Sequence, residues 1–187
     1  IIVQVGRALS KAHALGIVHR DIKPDNIFMC RSDLGVLCKV LDFGIAKQTR
    51  LPKIDGLTSD GKIVGTPQYM SPEQVLEEGR VDYRLDLWAL AVVMYVCLTG
   101  ALPFDGNTLG RLCINLATKK APPPSSLRPE LSSAVDDWFE KALHRHPENR
   151  FSSAKEMGET FTALVEDSSF QPLNVATGVF QHDTERQ

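Results

Sequence analysis

The sequence predicts a mainly α-helical domain that carries one small β-hairpin. Near the start of the chain, apolar residues recur at helical spacing and would share one helix face, namely Ile2, Val5, Leu9 and Ala12. Residues 86–98 are apolar on nearly every side, which is typical of a helix that is buried all round. Two short β-like runs, at 27–30 and 36–41, provide the material for a hairpin.

The elements of the first half follow in a clear order. The first helix should end near Gly16, and the two β-like runs are joined by a segment in which Asp33 and Gly35 favour a turn. Residues 45–64 are polar and have no sustained period, and a loop of this length inside a compact domain is usually functional. A short helix is expected over 71–78.

The second half is predicted to be helical with one stiff connector. Residues 108–118 form a weaker amphipathic segment, and the proline-rich stretch 121–126 should be extended. Two further helices are expected, each opened by a Ser-x-x-Asp/Glu capping box, at 133–136 and at 153–156. Because the periodicity fades after Glu166, we predict one domain over 1–165 and a linker or mobile tail over 166–187.

Composition excludes several function classes. The chain has 187 residues, is 43% hydrophobic and carries a net charge of −2 with both signs interspersed, so neither a nucleic-acid partner nor membrane contact of this segment is expected. The longest apolar run, at 87–98, is too short to span a bilayer. Four cysteines without CxxC spacing argue against a cysteine metal site and favour a reducing, cytoplasmic location.

Two motifs bring together residues suited to phosphate chemistry. Residues His19–Asn26 read His-Arg-Asp-Ile-Lys-Pro-Asp-Asn, and Asp42-Phe43-Gly44 follows after the predicted hairpin. They set a carboxylate, a cation, an amide and a second carboxylate close together along the chain. A lone Asp in a loop, or a lone Asp-Phe-Gly, most often caps a turn. The ordered succession of both segments instead favours one shared site.

These segments resemble the catalytic loop and the metal-binding loop of protein kinases. The stretches 19–26, 40–47 and 65–74 are similar to those of bacterial members of the eukaryotic-like Ser/Thr protein kinases, and the resemblance covers residues 1 to about 165. It implies the fold of a kinase C-terminal lobe, helical with a hairpin beside the active site. It also implies transfer of the γ-phosphoryl group of ATP to Ser or Thr hydroxyls with two Mg²⁺ ions, or Mn²⁺ in their place.

The resemblance assigns roles to five residues. Asp21 would accept or orient the proton of the substrate hydroxyl, and Lys23 would place a positive charge on the transferring phosphoryl group. Asn26 and Asp42 would each bind one Mg²⁺ ion, since hard cations prefer oxygen ligands. Thr66 would bridge Asp21 and Lys23 and so favour aliphatic hydroxyl acceptors, although a simple turn before proline is the alternative for this threonine.

A regulatory role is implied for the loop that precedes Thr66. Arg20 directly precedes Asp21, as in kinases that are controlled by phosphorylation of this loop, and a guanidinium group suits a phosphate. Thr58 lies eight residues before Thr66, a spacing similar to that of bacterial kinases, so Thr58 is the favoured phosphorylation site and Ser59 the next candidate.

Three further residues are assigned structural roles by the resemblance. Ser71-Pro72-Glu73 stands where the family usually has Ala-Pro-Glu, and Glu73 should form a buried pair with Arg150. Asp86 opens the buried helix and should accept backbone N–H groups of the catalytic loop, because a charge at the end of an apolar helix needs such partners.

The part of the chain before His19 suggests a fragment. Only 18 residues precede it, and the chain has no G-x-G-x-x-G phosphate loop, no strand lysine for the phosphates and no helix glutamate to pair with it. We therefore expect this chain alone to bind nucleotide weakly and to expose an apolar patch. Bacterial relatives often continue into a transmembrane helix, so a membrane anchor beyond Gln187 stays open.

The expected partners are proteins with Ser or Thr acceptors, together with a second copy of the kinase for autophosphorylation in trans. Two alternatives from other classes remain at this stage. One is a pseudokinase-like scaffold that binds proteins without transferring phosphate. The other is an unrelated helical interaction protein with chance motifs.

Overall fold

The computed structural model describes residues 1–32, 35–43, 67–76, 82–106 and 108–167. Within these ranges the chain is mainly helical and carries one two-stranded antiparallel sheet, so the predicted fold class is confirmed. The helices are α1 (Ile2–Ala14), α2 (Pro72–Val75), α3 (Arg84–Thr99), α4 (Leu109–Thr118), α5 (Ser133–Ala142) and α6 (Ala154–Asp167). The strands are β1 (Ile27–Ser32) and β2 (Gly35–Val40), paired in register from Ile27 with Val40 to Ser32 with Gly35.

Helix α3 is the central element of the domain. Every residue from Leu85 to Tyr95 is buried, which explains why this segment is apolar on all sides. The helix ends at Gly100, whose φ of 73° lies in the left-handed region that glycine adopts readily. The helices α1 and α5 both pack against α3, so the residues at its N-terminus are enclosed by protein.

An aromatic cluster joins α5 to α6. The ring of Trp138 lies 4.9 Å from that of Phe139, 5.2 Å from that of Phe151 and 5.0 Å from that of Phe161, measured between centroids. The indole Nε1 of Trp138 donates a hydrogen bond to Thr160 Oγ1 at 3.0 Å, so the polar edge of the ring is satisfied. This cluster therefore holds α6 against α5.

Helix α1 connects the hairpin to the rest of the domain. Gln4 Nε2 donates to the carbonyl oxygen of Val36 at 2.8 Å, and Cys38 N donates to Gln4 Oε1 at 2.7 Å. These two bonds hold the edge of β2 against α1. On its other side α1 packs closely on α6, where a Cβ added at Gly6 would lie 2.6 Å from the carbonyl oxygen of Ala154.

Several local predictions need correction. The capping box at 133–136 is wrong, because the helix is capped at Ser132 and the Asp136 carboxylate accepts from the amide and hydroxyl of Ser125. The box at 153–156 is half right. Glu156 N donates to Ser153 Oγ at 3.1 Å, but the Glu156 carboxylate binds Ser152.

Two element boundaries also differ from the predictions. The short helix expected over 71–78 ends at Val75, with Leu76 as its C-cap. The connector predicted to be extended contains a 3₁₀ turn at Pro124–Ser126.

Helix α6 continues to Asp167, and residues 168–187 lie outside the described residues, so the division into a domain and a tail stays a prediction. Among the described residues, no helix combines the length and the apolar character needed to cross a bilayer.

We expect Gly6→Ala to destabilise the protein, because the added methyl group would collide with the backbone of α6. Overpacking of this kind costs on the order of 1–3 kcal/mol of unfolding free energy. The matched control is Gly110→Ala on α4, where no atom lies within 4 Å of the added Cβ. Urea unfolding measures both variants, and equal stability of the two would contradict the close packing of α1 on α6.

Candidate active site

The segment 19–26 alternates between buried and accessible side chains. His19 is fully buried and Ile22 is 2% exposed, whereas Asp21 and Lys23 on either side of Ile22 are partly exposed. Pro24 then begins a 3₁₀ turn that ends at Asn26, itself 8% exposed. The buried residues fix the backbone while the two charged side chains between them stay accessible to a substrate.

Asp21, Lys23 and Asn26 lie in mutual contact. Lys23 Nζ is 3.5 Å from Asp21 Oδ2, and Asn26 Nδ2 donates to the Asp21 carbonyl oxygen at 2.6 Å and to its Oδ2 at 3.1 Å. Because the amide nitrogen of Asn26 faces Asp21, its Oδ1 is the atom left to bind a cation. The contacts also hold the Asp21 carboxylate in one orientation.

The buried carboxylate of Asp86 anchors this loop to α3. Its Oδ2 accepts from His19 N at 2.8 Å and its Oδ1 from Arg20 N at 2.8 Å, so the structure contains the arrangement that the sequence predicts for Asp86. Arg20 has a φ of 65°, in the left-handed region that is costly for a residue with a Cβ. The hydrogen bonds that His19 N and Arg20 N donate to Asp86 hold the backbone in this conformation.

A third donor to Asp86 was not predicted. His13, in the last turn of α1, has its Nε2 at 2.8 Å from Asp86 Oδ2, and its ring centroid lies 5.3 Å from that of Tyr83. Nothing in the local sequence pattern indicates this contact, because it joins residues 73 positions apart. The one available signal is the predicted need of the Asp86 carboxylate for hydrogen-bond donors. That need could have prompted a search for donors beyond the loop amides.

Asp42 is held beside the loop through its neighbours in the chain. Leu41 N donates to the Asn26 carbonyl oxygen at 2.9 Å, and His19 Nε2 lies 2.8 Å from the Leu41 carbonyl oxygen. The ring of Phe43 packs at 4.8 Å from that of His19. Asp42 itself is exposed and has a φ of 52°, a conformation that aspartate tolerates better than most residues.

His19 serves the structure of this site. Its Nε2 donates to Leu41, and its Nδ1 accepts from Asp21 N at 3.3 Å, so both ring nitrogens are engaged. A histidine with both nitrogens committed in this way is poorly suited to take a proton from a substrate. The carboxylates of Asp21 and Asp25 are the accessible acidic groups of this segment.

A second buried charge pair lies behind the site. Arg150 and Glu73 form a two-pronged ion pair with both N–O distances at 2.8 Å, and their side chains are 0% and 8% exposed. Arg150 also donates to the carbonyl oxygens of Arg84, His144 and Arg145, and its guanidinium carbon lies 4.8 Å from the Trp88 ring centroid. The pair ties α2 to α3.

The 3₁₀ turn Pro67–Tyr69 packs against α3. Burial raises the pKa of the Tyr69 phenol, and the negative charge of Asp25 raises that pKa further, as does Cys97. The phenol therefore remains a neutral hydroxyl at ordinary pH.

The hairpin exposes apolar side chains next to the site. Between 46% and 55% of their surface is exposed, and they are Phe28, Met29, Val36 and Leu37. The strand register places Phe28 and Leu37 on one face of the hairpin and Met29 and Val36 on the other, so the exposed apolar side chains are divided between two faces.

Some predicted site residues cannot be placed. Thr66, Thr58 and Ser59 lie outside the described residues, and so does Gly44. Their catalytic and regulatory roles stay predictions. The structure brings together the other predicted residues in two groups, one around Asp21 and Asp86 and the other around Glu73 and Arg150.

The residues present suit a Mg²⁺ ion that is shared with a substrate. Within the described ranges, no three His, Cys, Asp or Glu side chains gather into a metal site. The Asn26 amide oxygen and the Asp42 carboxylate are oxygen donors, and Mg²⁺ commonly takes one or two such ligands together with water and substrate phosphates. The donor set therefore fits Mg²⁺ bound to a nucleotide better than a cage made by protein alone.

The fold and the sequence both match the protein kinase domain. The sequence model of the protein kinase domain matches residues 1–162, and the chain belongs to that family. Protein kinases use ATP with Mg²⁺ and act on proteins.

Two relatives with curated names are Ser/Thr kinases of bacteria. Serine/threonine-protein kinase Pkn1 of Myxococcus xanthus is 47% identical over 156 residues, which cover 82% of this chain and 22% of that protein. Serine/threonine-protein kinase PknH of Mycobacterium tuberculosis is 41% identical over 157 residues, which cover 84% of this chain and 24% of that protein. The chain thus spans about a quarter of the length of these relatives.

A solved structure gives the same picture of the fold. The crystal structure of the Mycobacterium tuberculosis PknI kinase domain matches with a TM-score of 0.62 and 28% identity, over 87% of this chain and 53% of that one. The match supports the kinase-like arrangement and covers about half of the solved chain.

We expect Arg150→Ala to lower the free energy of unfolding by about 3–5 kcal/mol, because Glu73 would be left as a buried unpaired charge. The matched control is Lys155→Ala, which removes an exposed ion pair with Glu159 and should cost less than about 1 kcal/mol. Urea or thermal unfolding measures both. If the two variants were equally stable, the buried pair would not have the role assigned to it.

Proposed function

We propose that this chain carries the catalytic loop of a Ser/Thr protein kinase, which transfers the γ-phosphoryl group of ATP to Ser or Thr hydroxyls of proteins. The observation that carries the proposal is the contact of Asp21 with both Lys23 and Asn26 in a loop anchored on Asp86. Membership of the kinase family and the names of the relatives support it.

Asp21 and Lys23 are suited to the two ends of the transfer. Both side chains remain partly exposed, so a hydroxyl group can approach them. The hydroxyl oxygen forms a bond to the γ-phosphorus while the bond from that phosphorus to the bridging oxygen of ATP breaks and ADP leaves. Asp21 orients the hydroxyl and accepts its proton, and the charge of Lys23 stabilises the phosphoryl oxygens.

The metal and acceptor assignments form part of this proposal. Asn26 and Asp42 would each hold one of two Mg²⁺ ions, or Mn²⁺ in their place. Such ions would neutralise negative charge on the phosphates. The kinase resemblance further implies that Thr66 favours aliphatic hydroxyl acceptors. The acceptor proteins include a second copy of the same kinase.

The nucleotide also needs contacts beyond this chain. Because the chain matches 53% of the solved kinase domain, we propose that it acts together with residues equivalent to those that complete the domain in its relatives. By itself it should bind nucleotide weakly, since the G-x-G-x-x-G loop and strand lysine of kinases are not part of its sequence.

The decisive experiment compares phosphotransfer from radiolabelled ATP by this chain and by a chimera that joins it to the complementary kinase-domain residues of the Myxococcus xanthus relative. We expect incorporation by the chimera and almost none by the chain alone. Asp21→Asn in the chimera should reduce the rate by roughly 10²–10⁴-fold, because the proton acceptor is lost while the shape is kept. Asp137→Asn, at an exposed position of α5, is the matched control and should leave the rate unchanged.

Two results would contradict the proposal. One is a chimera that unfolds cooperatively yet transfers no phosphate, which would favour the pseudokinase-like scaffold. The other is an Asp21→Asn chimera as active as the control, which would remove Asp21 from the chemistry.

We further propose that phosphorylation of Thr58, or of its neighbour Ser59, promotes activity through the guanidinium group of Arg20. Mass spectrometry of the active chimera should find phosphate on Thr58, and an epitope-tagged Asp21→Asn chimera should gain it only when mixed with the active form. Thr58→Ala combined with Ser59→Ala should lower the rate. Active protein with both residues unmodified would contradict this regulation.

A further inference from the structure

We propose that residues 168–187 dock on their own chain, in a groove between α1 and α6. The groove has a volume of about 250 Å³. Its lining comes from both helices and includes Val3, Arg7, Gly158, Ala163 and Glu166. Residues 168–187 lie outside the described residues, and their docking is inferred from the groove, from where α6 ends and from the sequence of the segment. It does not depend on the kinase function proposed above.

Small residues of α6 leave this groove open. Gly158 is buried, and a Cβ added there would lie 3.3 Å from Val3 Cα, so the two helices approach closely at this point. Ala163 is exposed and projects only a methyl group. A volume of about 250 Å³ lies below the range of roughly 300–1,000 Å³ that is typical of small-molecule sites. The groove therefore suits a few apolar side chains of a peptide better than a whole ligand.

The chain itself supplies a peptide at one end of the groove. Helix α6 ends at Asp167, directly after Glu166, which belongs to the lining. A segment tethered by a short linker has an effective concentration in the millimolar range. Even an affinity with a Kd of about 1 mM would therefore keep the groove occupied for about half of the time. A second copy of the chain has no such advantage at micromolar protein concentrations.

The sequence after α6 fits an apolar groove. Residues 168–181 contain no Asp, Glu, Lys or Arg, whereas disordered linkers usually have a high net charge and few aromatic and β-branched residues. Leu173, Val175 and Val179 are separated by even numbers of positions, so an extended chain presents their side chains on one face. That face is the part of the segment that we assign to the groove.

The dimensions of the groove and of the segment agree. The lining extends along α6 from Lys155 to Glu166, a rise of about 17 Å. An extended chain from Leu173 to Val179 spans roughly 20 Å. Residues 168–172, which contain a proline, are available to reverse the direction of the chain between α6 and this stretch. The apolar face can therefore lie along the whole length of the groove.

The first measurement is photo-crosslinking in this chain, with p-benzoylphenylalanine in place of Arg7. Arg7 is exposed and lies on α1, so a link to residues 168–187 reports on the groove and not on neighbours in sequence. We expect at least about 10-fold more of these links than from the same photoreactive residue in place of Arg111, the matched control on α4. In a mixture of isotope-labelled and unlabelled chains, each link should join two peptides of the same isotope.

The second measurement tests the assigned face. Leu173→Asp combined with Val175→Asp should reduce the links from position 7 about 10-fold, because a carboxylate in an apolar groove loses its hydration. The matched control, Asn174→Asp combined with Ala176→Asp, adds the same charge to the opposite face of the extended stretch. It should keep the links within about 3-fold of those of the unsubstituted segment.

Four results would overturn the proposal. One is a position 7 that links to the segment no more than position 111 does, and another is an equal loss of links in both aspartate pairs. Links between labelled and unlabelled peptides would identify a second copy as the occupant. In the chimera, links from position 7 to the residues joined from the relative, instead of to 168–187, would assign the groove to those residues. None of these readouts needs phosphotransfer, so they stand whether or not the kinase function is confirmed.

Discussion

Asp86 places a negative charge at a point of the chain that water does not reach, and the protein has to compensate that charge with its own donors. The donors that it uses are the amides of the catalytic loop and the imidazole of His13. Loop and helix are therefore inseparable, because movement of the loop would leave a buried carboxylate without partners. This requirement fixes the backbone conformation of the catalytic loop, although the loop is neither helix nor strand.

The first turns of α3 serve as the common reference for both sides of the site. Asp86 receives the catalytic loop, while the Arg84 carbonyl oxygen and the Trp88 ring receive Arg150, which holds Glu73 and α2. Two segments that are far apart in sequence are thus positioned against the same buried helix. The apolar character of α3 excludes water from both charge clusters, which strengthens their hydrogen bonds.

The features that could be predicted from the sequence are those with a local signature or a family motif. The all-round apolar run predicted α3, and β-like runs predicted the hairpin, whereas the pairing of Glu73 with Arg150 came from the kinase resemblance, because these residues are 77 positions apart. The failures share one cause. Asp136 looked like a capping residue but binds Ser125, and His13 binds Asp86, and in each case a tertiary contact decides which polar group is the partner.

The identity of Asn26 follows from the same logic of charge compensation. Its amide nitrogen donates to the carbonyl oxygen and to the carboxylate of Asp21, at 2.6 and 3.1 Å. An aspartate at this position would keep an oxygen for a cation, but it would present a second negative charge to Asp21 with no hydrogen between them. Like charges so close disfavour ionisation of both groups. An amide alone offers a donor on one side and an oxygen ligand on the other, so this position can support Asp21 and bind a metal at the same time.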